Sequence, residues 1–184
     1  MKNKKRIIIS ALLIVFVVMC FRYYAINTAF PNPVIKSCSI GQIANVNGYS
    51  VQVLSKKMYT KSELNPTLQD MIPTNFPELQ DDFRICVVEV KFQNLNEVEA
   101  PLEVFRFMLQ SGAWANGIDH EIFDIFNPEG KLNMVCKPNE EKTLLLTYSV
   151  IKKNFHEQDW VNIDQRNFDL VLSVYPEKGL IHLY

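Results

Sequence analysis

The chain has 184 residues, 48% of them hydrophobic, with 19 Lys and Arg against 20 Asp and Glu for a formal net charge of −1. That near-balance hides a split: five basic and no acidic residues precede Asn27, which leaves residues 27–184 with 14 basic against 20 acidic side chains, a net of −6. An acidic body of this kind argues against nucleic acid, anionic lipid headgroups or anionic wall polymers as electrostatic partners.

Lys2, Lys4, Lys5 and Arg6 stand before an apolar run, residues 7–21, broken only by Ser10. Continued through Tyr23, Tyr24 and Ile26, the run gives a helix of roughly 30 Å, enough to cross a bilayer core. The basic tip places the N-terminus in the cytoplasm and the remainder outside, with Arg22 snorkelling to the outer surface beside two interfacial tyrosines. The rival is a cleavable signal peptide, whose apolar stretch and basic tip look the same. A small-x-small cleavage pattern would favour it, but Asn27 lies two before Ala29 and Tyr23 two before Ala25, so an uncleaved signal anchor is the preferred reading. Cys20 follows Met19 rather than a small residue, and reads as an apolar helix cysteine instead of a lipid attachment site. The expected organisation is a tip and anchor over 1–26, a linker with Pro31 and Pro33 over 27–37, and one extracytoplasmic domain over 38–184, which is long enough to hold its own core.

Short strands then alternate with turn residues. Residues 38–46 supply an edge strand, Asn47-Gly48 a tight turn, and 49–59 the second arm of a hairpin with Val51 and Val53 on one face. Residues 61–82 form a long Pro-containing connection, with Leu64, Leu68 and Met71 spaced like a helical turn or two. Residues 83–93 are the strongest strand, with Cys86, Val88, Val90 and Phe92 inward and Glu89 and Lys91 outward; residues 102–109 follow with Phe105, Phe107 and Leu109 on one face. These two strands are expected to form the centre of the core. Turns at Ser111-Gly112 and Asn116-Gly117 flank Trp114, and residues 119–126 form a helical turn over Ile122, Phe123 and Phe126. Residues 131–136 and 142–150 read as a further hairpin around Pro138, a helical turn falls near Trp160, and residues 167–175 and 180–184 close the chain as a last hairpin. About seven or eight strands at these spacings indicate an all-β sandwich.

Cys38, Cys86 and Cys136 lie outside the anchor, where disulfides persist. Cys86 is in phase with a buried strand face; Cys38 and Cys136 lie near strand ends, and a bridge between them is left open.

The segments FRICVVEVKFQNLNEVE, VFRFMLQSGAWANGID, KPNEEKTLLLTYSV and FDLVLSVYP resemble the telokin-like, immunoglobulin-like domains of unknown function found behind an N-terminal anchor in Gram-positive surface proteins. The likeness spans most of residues 38–184. A strand-terminal Asn, a Gly-bearing turn and a Pro-Gly-Glu turn recur in such domains; here they correspond to Asn94, Gly112 and Pro138-Asn139-Glu140, with Asn139 able to take the left-handed conformation of the usual Gly. The resemblance implies an immunoglobulin-like sandwich and a surface location, and transfers no catalytic residue.

Enzyme chemistry finds little support in the residues. Asp119-His120-Glu121 are adjacent and do not project together, with no second His at i+3 or i+4, so no metal site is assigned. His156 and His182 are isolated. Ser111-Gly112 lacks the context of a nucleophile elbow, Cys136 is the one cysteine considered as a nucleophile, and acid pairs drawn from Asp81, Asp82, Asp119, Glu121 and Asp124 are what an acidic surface gives by chance. No phosphate loop or calcium loop is present, and no cofactor is expected. Aromatic and loop residues are the better lead: Met71 and Phe76 in the long connection, with Ile72 between them, and Trp114 and Trp160 near turns are the candidate partner-binding residues, unless the tryptophans plug the ends of the sandwich. The expectation is a membrane-anchored, non-catalytic module that recognises another membrane or surface protein. The alternatives are an envelope hydrolase and an immunity or sensory partner of a membrane complex.

Overall fold

A computed structural model describes residues 2–64, 66–75 and 82–184. The chain divides into two units, Met1–Val34 and Ile35–Tyr184. The first is dominated by α1 (Lys2–Ala29), of which Ile8–Ala29 is long and apolar enough to cross a membrane. At 1.5 Å per residue that stretch spans roughly 33 Å, slightly more than a hydrocarbon core. The side chains of Asn27 and Thr28 bond back to the carbonyls of Tyr23 and Tyr24, at 2.8 Å each, and carry the helix three residues past Ile26. Pro31 then ends it, because proline has no N–H to offer and disfavours helical geometry in the residue before it.

The second unit is a β-sandwich of eleven strands among the described residues. They are β1 (Val34–Ser39), β2 (Ile43–Val46), β3 (Tyr49–Tyr59), β4 (Phe83–Asn94), β5 (Ala100–Glu103), β6 (Met108–Ser111), β7 (Trp114–Asn116), β8 (Asn133–Cys136), β9 (Glu141–Ile151), β10 (Asp169–Ser173) and β11 (Glu177–His182). One sheet runs β2-β3-β4-β9, the other β1-β11-β10-β6-β7, and β5 pairs with β8 as a separate ribbon. The count exceeds the seven or eight expected because four of these strands have four residues and one has three, too short to leave a repeating pattern in the sequence.

Alternation explains the core. Val51 and Val53 from β3, Cys86, Val88, Val90 and Phe92 from β4, and Leu144, Leu146, Tyr148 and Val150 from β9 face Leu109, Leu170, Leu172 and Ile181 of the other sheet. Phe92 stacks on Phe107 with ring centroids 5.7 Å apart. Each such side chain contributes about 1.5–3 kcal/mol by leaving water.

The four-stranded sheet is also covered on its outer face. Phe83, Ile85 and Val87 of β4 and Ile151 of β9 pack with Leu64, with Leu68 of α2 (Pro66–Asn75) and with Ile122 of α3 (His120–Phe126). Leu64 and Leu68 of the long connection therefore cover this face of the sheet, together with the helical turn expected at 119–126.

One expected strand and one expected pairing differ. Residues 102–109 are not one strand: Val104–Arg106 form a 3₁₀ turn that sends Phe105 outward while Phe107 stays in the core, and β4 pairs with β3 and β9 rather than with this segment. The segment 131–136 does not form a hairpin with β9; its strand β8 pairs with β5. The β2-β3 and β10-β11 hairpins form as expected. Asn47 and Gly48 have φ of 50° and 78°, as a two-residue hairpin loop requires, and a side chain at Gly48 would run into that of Asn96. Asn139 sits at φ 59°, in the left-handed region.

Candidate functional site

The residues singled out by sequence do not gather into one site among the described residues. The Trp160 indole is buried; its Nε1 donates to Asp82 Oδ2 at 2.9 Å, while Arg84 stacks 5.4 Å from its ring and bonds to Asp82 and Asp164. Burial raises the Asp82 pKa, but the indole and the Arg84 guanidinium outweigh it and leave the carboxyl below its ordinary value. Trp160 is thus a core residue, which is the reading of the tryptophans as plugs. Trp114 is half-buried against Phe155 and the edge of Phe168, at 5.2 and 6.0 Å, and lines a shallow cleft of about 340 Å³ with Phe155, Lys153, His156 and Arg166. The side chains of Met71 and Ile72, and residues Phe76 and Asp81 as a whole, lie outside what the structure describes.

All four cysteines are free thiols, so the Cys38–Cys136 bridge is not formed. Cys38 is on β1 of the five-stranded sheet and Cys136 on β8 of the ribbon. Burial raises the pKa of Cys136, and Tyr49, Glu140 and Lys142 are the other groups that act on it. Tyr49, whose hydroxyl donates to the Ala100 carbonyl at 2.7 Å, is itself pushed up to about 12 by burial and by Cys136. His120 lies 3.8 Å from Asp124 on an exposed helix face. His182 and Asp169 form a cross-strand pair at 2.7 Å. Among the described residues no three His, Cys, Asp or Glu gather where they could hold a metal ion.

Two asparagines organise what remains. Asn94, fully buried at the end of β4, donates from Nδ2 toward the carbonyls of Val98, Cys136 and Lys137 and accepts from Asn96 N and Nδ2. It ties together the turn after β4 and the turn before β9. Asn127, at the end of α3, donates to Leu145 O and accepts from Leu145 N; further along the same edge Asp119 N donates to Thr147 O and Asn116 Nδ2 to Ser149 O. The outer edge of β9 is closed in this way at alternate residues.

The opposite corner is open. There the chain crosses from β1 to β2 at Gly41, and the two sheets part to leave a cleft of about 400 Å³, within the range of ligand sites. Ile43, Ala44 and Val46 of β2 form one wall and Leu172, Tyr175 and Leu180 the other; Lys36 and Glu177 pair across the rim at 2.7 Å. The edge strand expected over residues 38–46 is instead two strands in different sheets, β1 ending at Ser39 and β2 beginning at Ile43, and the cleft beside them left no sequence signal because its two walls are more than a hundred residues apart.

Matching against known families covers residues 23–179 with a domain of unknown function, DUF5028. The chain belongs to this family. No match emerged among the curated proteins. Among solved structures, the DUF5028 domain is similar to a conserved hypothetical protein from Bacillus anthracis (16% identity, 72% of this chain and 87% of that one, TM-score 0.46). It is similar also to the yjhA protein from Bacillus subtilis (11%, 79% and 98%, 0.48) and to an uncharacterized β-sandwich protein from Clostridium difficile 630 (12%, 83% and 96%, 0.47).

Proposed function

We propose that the chain is a single-pass membrane protein whose β-sandwich lies outside the cell and engages a protein partner, without catalysing a reaction. The basic tip before α1 supports this orientation. The observation that carries the binding reading is the open corner beside β2: a cleft of about 400 Å³ whose walls mix Val46, Leu172 and Leu180 with Asn45, Asn47 and Ser173, set against a β9 edge that is closed at alternate residues. The titratable groups fit the same reading, since each perturbed one is accounted for by burial or by a structural bond: Asp82 by Trp160 and Arg84, Glu140 by Lys142 and the Lys137 N–H, Cys86 by burial.

Site-specific photocrosslinking in intact cells tests it. A photoreactive residue at position 43 is expected to give a discrete higher-mass adduct, and one at position 161, exposed elsewhere on the domain, none. Equal or absent adducts at both positions overturn the reading. For orientation, a membrane-impermeant maleimide should label Val161→Cys in whole cells; labelling only after lysis places the domain inside.

A further inference from the structure

The backbone at the open corner specifies what kind of partner segment fits it. In an antiparallel ladder, pairs that exchange two hydrogen bonds alternate with pairs that exchange none. The two-residue Asn47-Gly48 loop makes Val46 and Tyr49 a bonded pair, so Ala44 and Val51 are the next, and the N–H and C=O groups of Ile43 and Asn45 point away from β3. Neighbouring backbone bonds hold the crossover instead: Ile40 N to His182 O, Gln42 N to Ser39 O and Gly41 N to Val53 O. Among the described residues nothing closes Ile43 or Asn45 as Asn127 closes Leu145. Unpaired edges of this kind are templates for another strand.

Resting on the binding reading above, we propose that the free edge of β2 takes an extended peptide segment of the partner protein as an added strand, its alternate apolar side chains entering the cleft between Val46 and Leu172. Polypeptide backbone presents N–H and C=O groups at the repeat this edge needs, whereas a helix has already used its own and a small apolar ligand has none. The period of two along such a strand turns every second side chain toward the cleft wall.

The full chain in lipid nanodiscs is used to pan phage-displayed random dodecapeptides. Enriched peptides should carry apolar residues at alternate positions and slow amide exchange at Ile43 and Asn45. A resynthesised peptide N-methylated at every second residue should lose binding in one register and keep it in the other. Asn45→Pro removes an outward N–H without touching the ladder to β3, and should weaken binding about tenfold, the scale of one or two lost hydrogen bonds, while Asn45→Ala binds as the parent does. Peptides that protect another segment, or that tolerate N-methylation in both registers, overturn strand addition and leave the binding reading standing. Absence of any enriched peptide overturns strand addition as well, and the crosslinking experiment then decides the binding reading by itself. Protection of Ile43 and Asn45 that grows with protein concentration without peptide overturns it in favour of a second copy.

Discussion

The Asn127 side chain makes both hydrogen bonds to Leu145 that a neighbouring strand would make: Nδ2 donates to Leu145 O and Oδ1 accepts from Leu145 N, each at 2.8 Å. A side-chain amide matches a peptide unit in donor and acceptor, so the residue that follows α3 ends the sheet without adding to it. Asn127→Ala should destabilise the domain by about 2 kcal/mol, the order of two lost bonds to partly buried backbone groups. Urea unfolding followed by tryptophan fluorescence measures this, and light scattering should show that the variant self-associates through the uncovered β9 edge.

Asn94 is less replaceable. Its Nδ2 faces three carbonyls from two different turns, so Asn94→Asp sets a carboxylate against carbonyl oxygens in a fully buried position. The expected loss is about 3 kcal/mol or more, read as a lower urea midpoint; a midpoint within experimental error of the parent would show that the turns hold without it.

Asp82 gives the fold a pH dependence of known sign. Its folded pKa lies below the ordinary 3.8; a depressed carboxyl stabilises fully above its unfolded pKa, and the contribution is lost as pH falls from there through the folded value. Stability should therefore decline below about pH 4, and Asp82→Asn should flatten that part of the profile. Because the carboxylate accepts from Trp160, the emission of that indole should shift over the same interval. The side chain is half-exposed, which keeps the effect small.

Thiol accessibility distinguishes the three cysteines of the sandwich. Burial pushes Cys86 up to about 12 and raises Cys136, and both side chains are closed to solvent, whereas Cys38 is partly exposed. Iodoacetamide at mildly alkaline pH should modify Cys38 in the native protein and reach Cys86 and Cys136 only on unfolding, as peptide mass mapping would show. Equal native labelling of all three would contradict the packing described for β4 and β8.

At Asn139 the backbone, not the side chain, sets the requirement. Glycine adopts φ near 59° freely, so Asn139→Gly should change stability by under about 0.5 kcal/mol, and Asn139→Val should cost about 1–2 kcal/mol. Thermal melts of the two variants check the difference.

The parts of this fold legible in the sequence are those whose determinants lie close together in the chain. Alternation in β4 and β9, the Asn47-Gly48 hairpin, the helical turn over Ile122 and Phe123, and the left-handed Asn139 are local signals. What the sequence concealed was partnership at a distance. Ile85, Val87 and Leu145 fall on the phase that alternation assigns to solvent, yet the outer face of β4 and β9 is covered by Leu68 and Ile122. Trp160 reads as either a binding residue or an end plug, and Asp82, far upstream, takes its N–H. Asn127 sits in an Asn-Pro-Glu-Gly run that signals a turn and nothing of Leu145. The cleft is hidden for the same reason, since β2 and β11 meet only once both sheets are assembled.

The unequal ends of the four-stranded sheet limit stoichiometry. Any chain that joined its neighbour end to end, β2 of one against β9 of the next, would have to displace Asn127, Asp119 and Asn116 from bonds already made. Under the proposed strand addition, such a sheet takes its added strand at the β2 side alone. That asymmetry leaves one strand edge exposed while blocking the end-to-end repeat by which a sheet grows into a polymer.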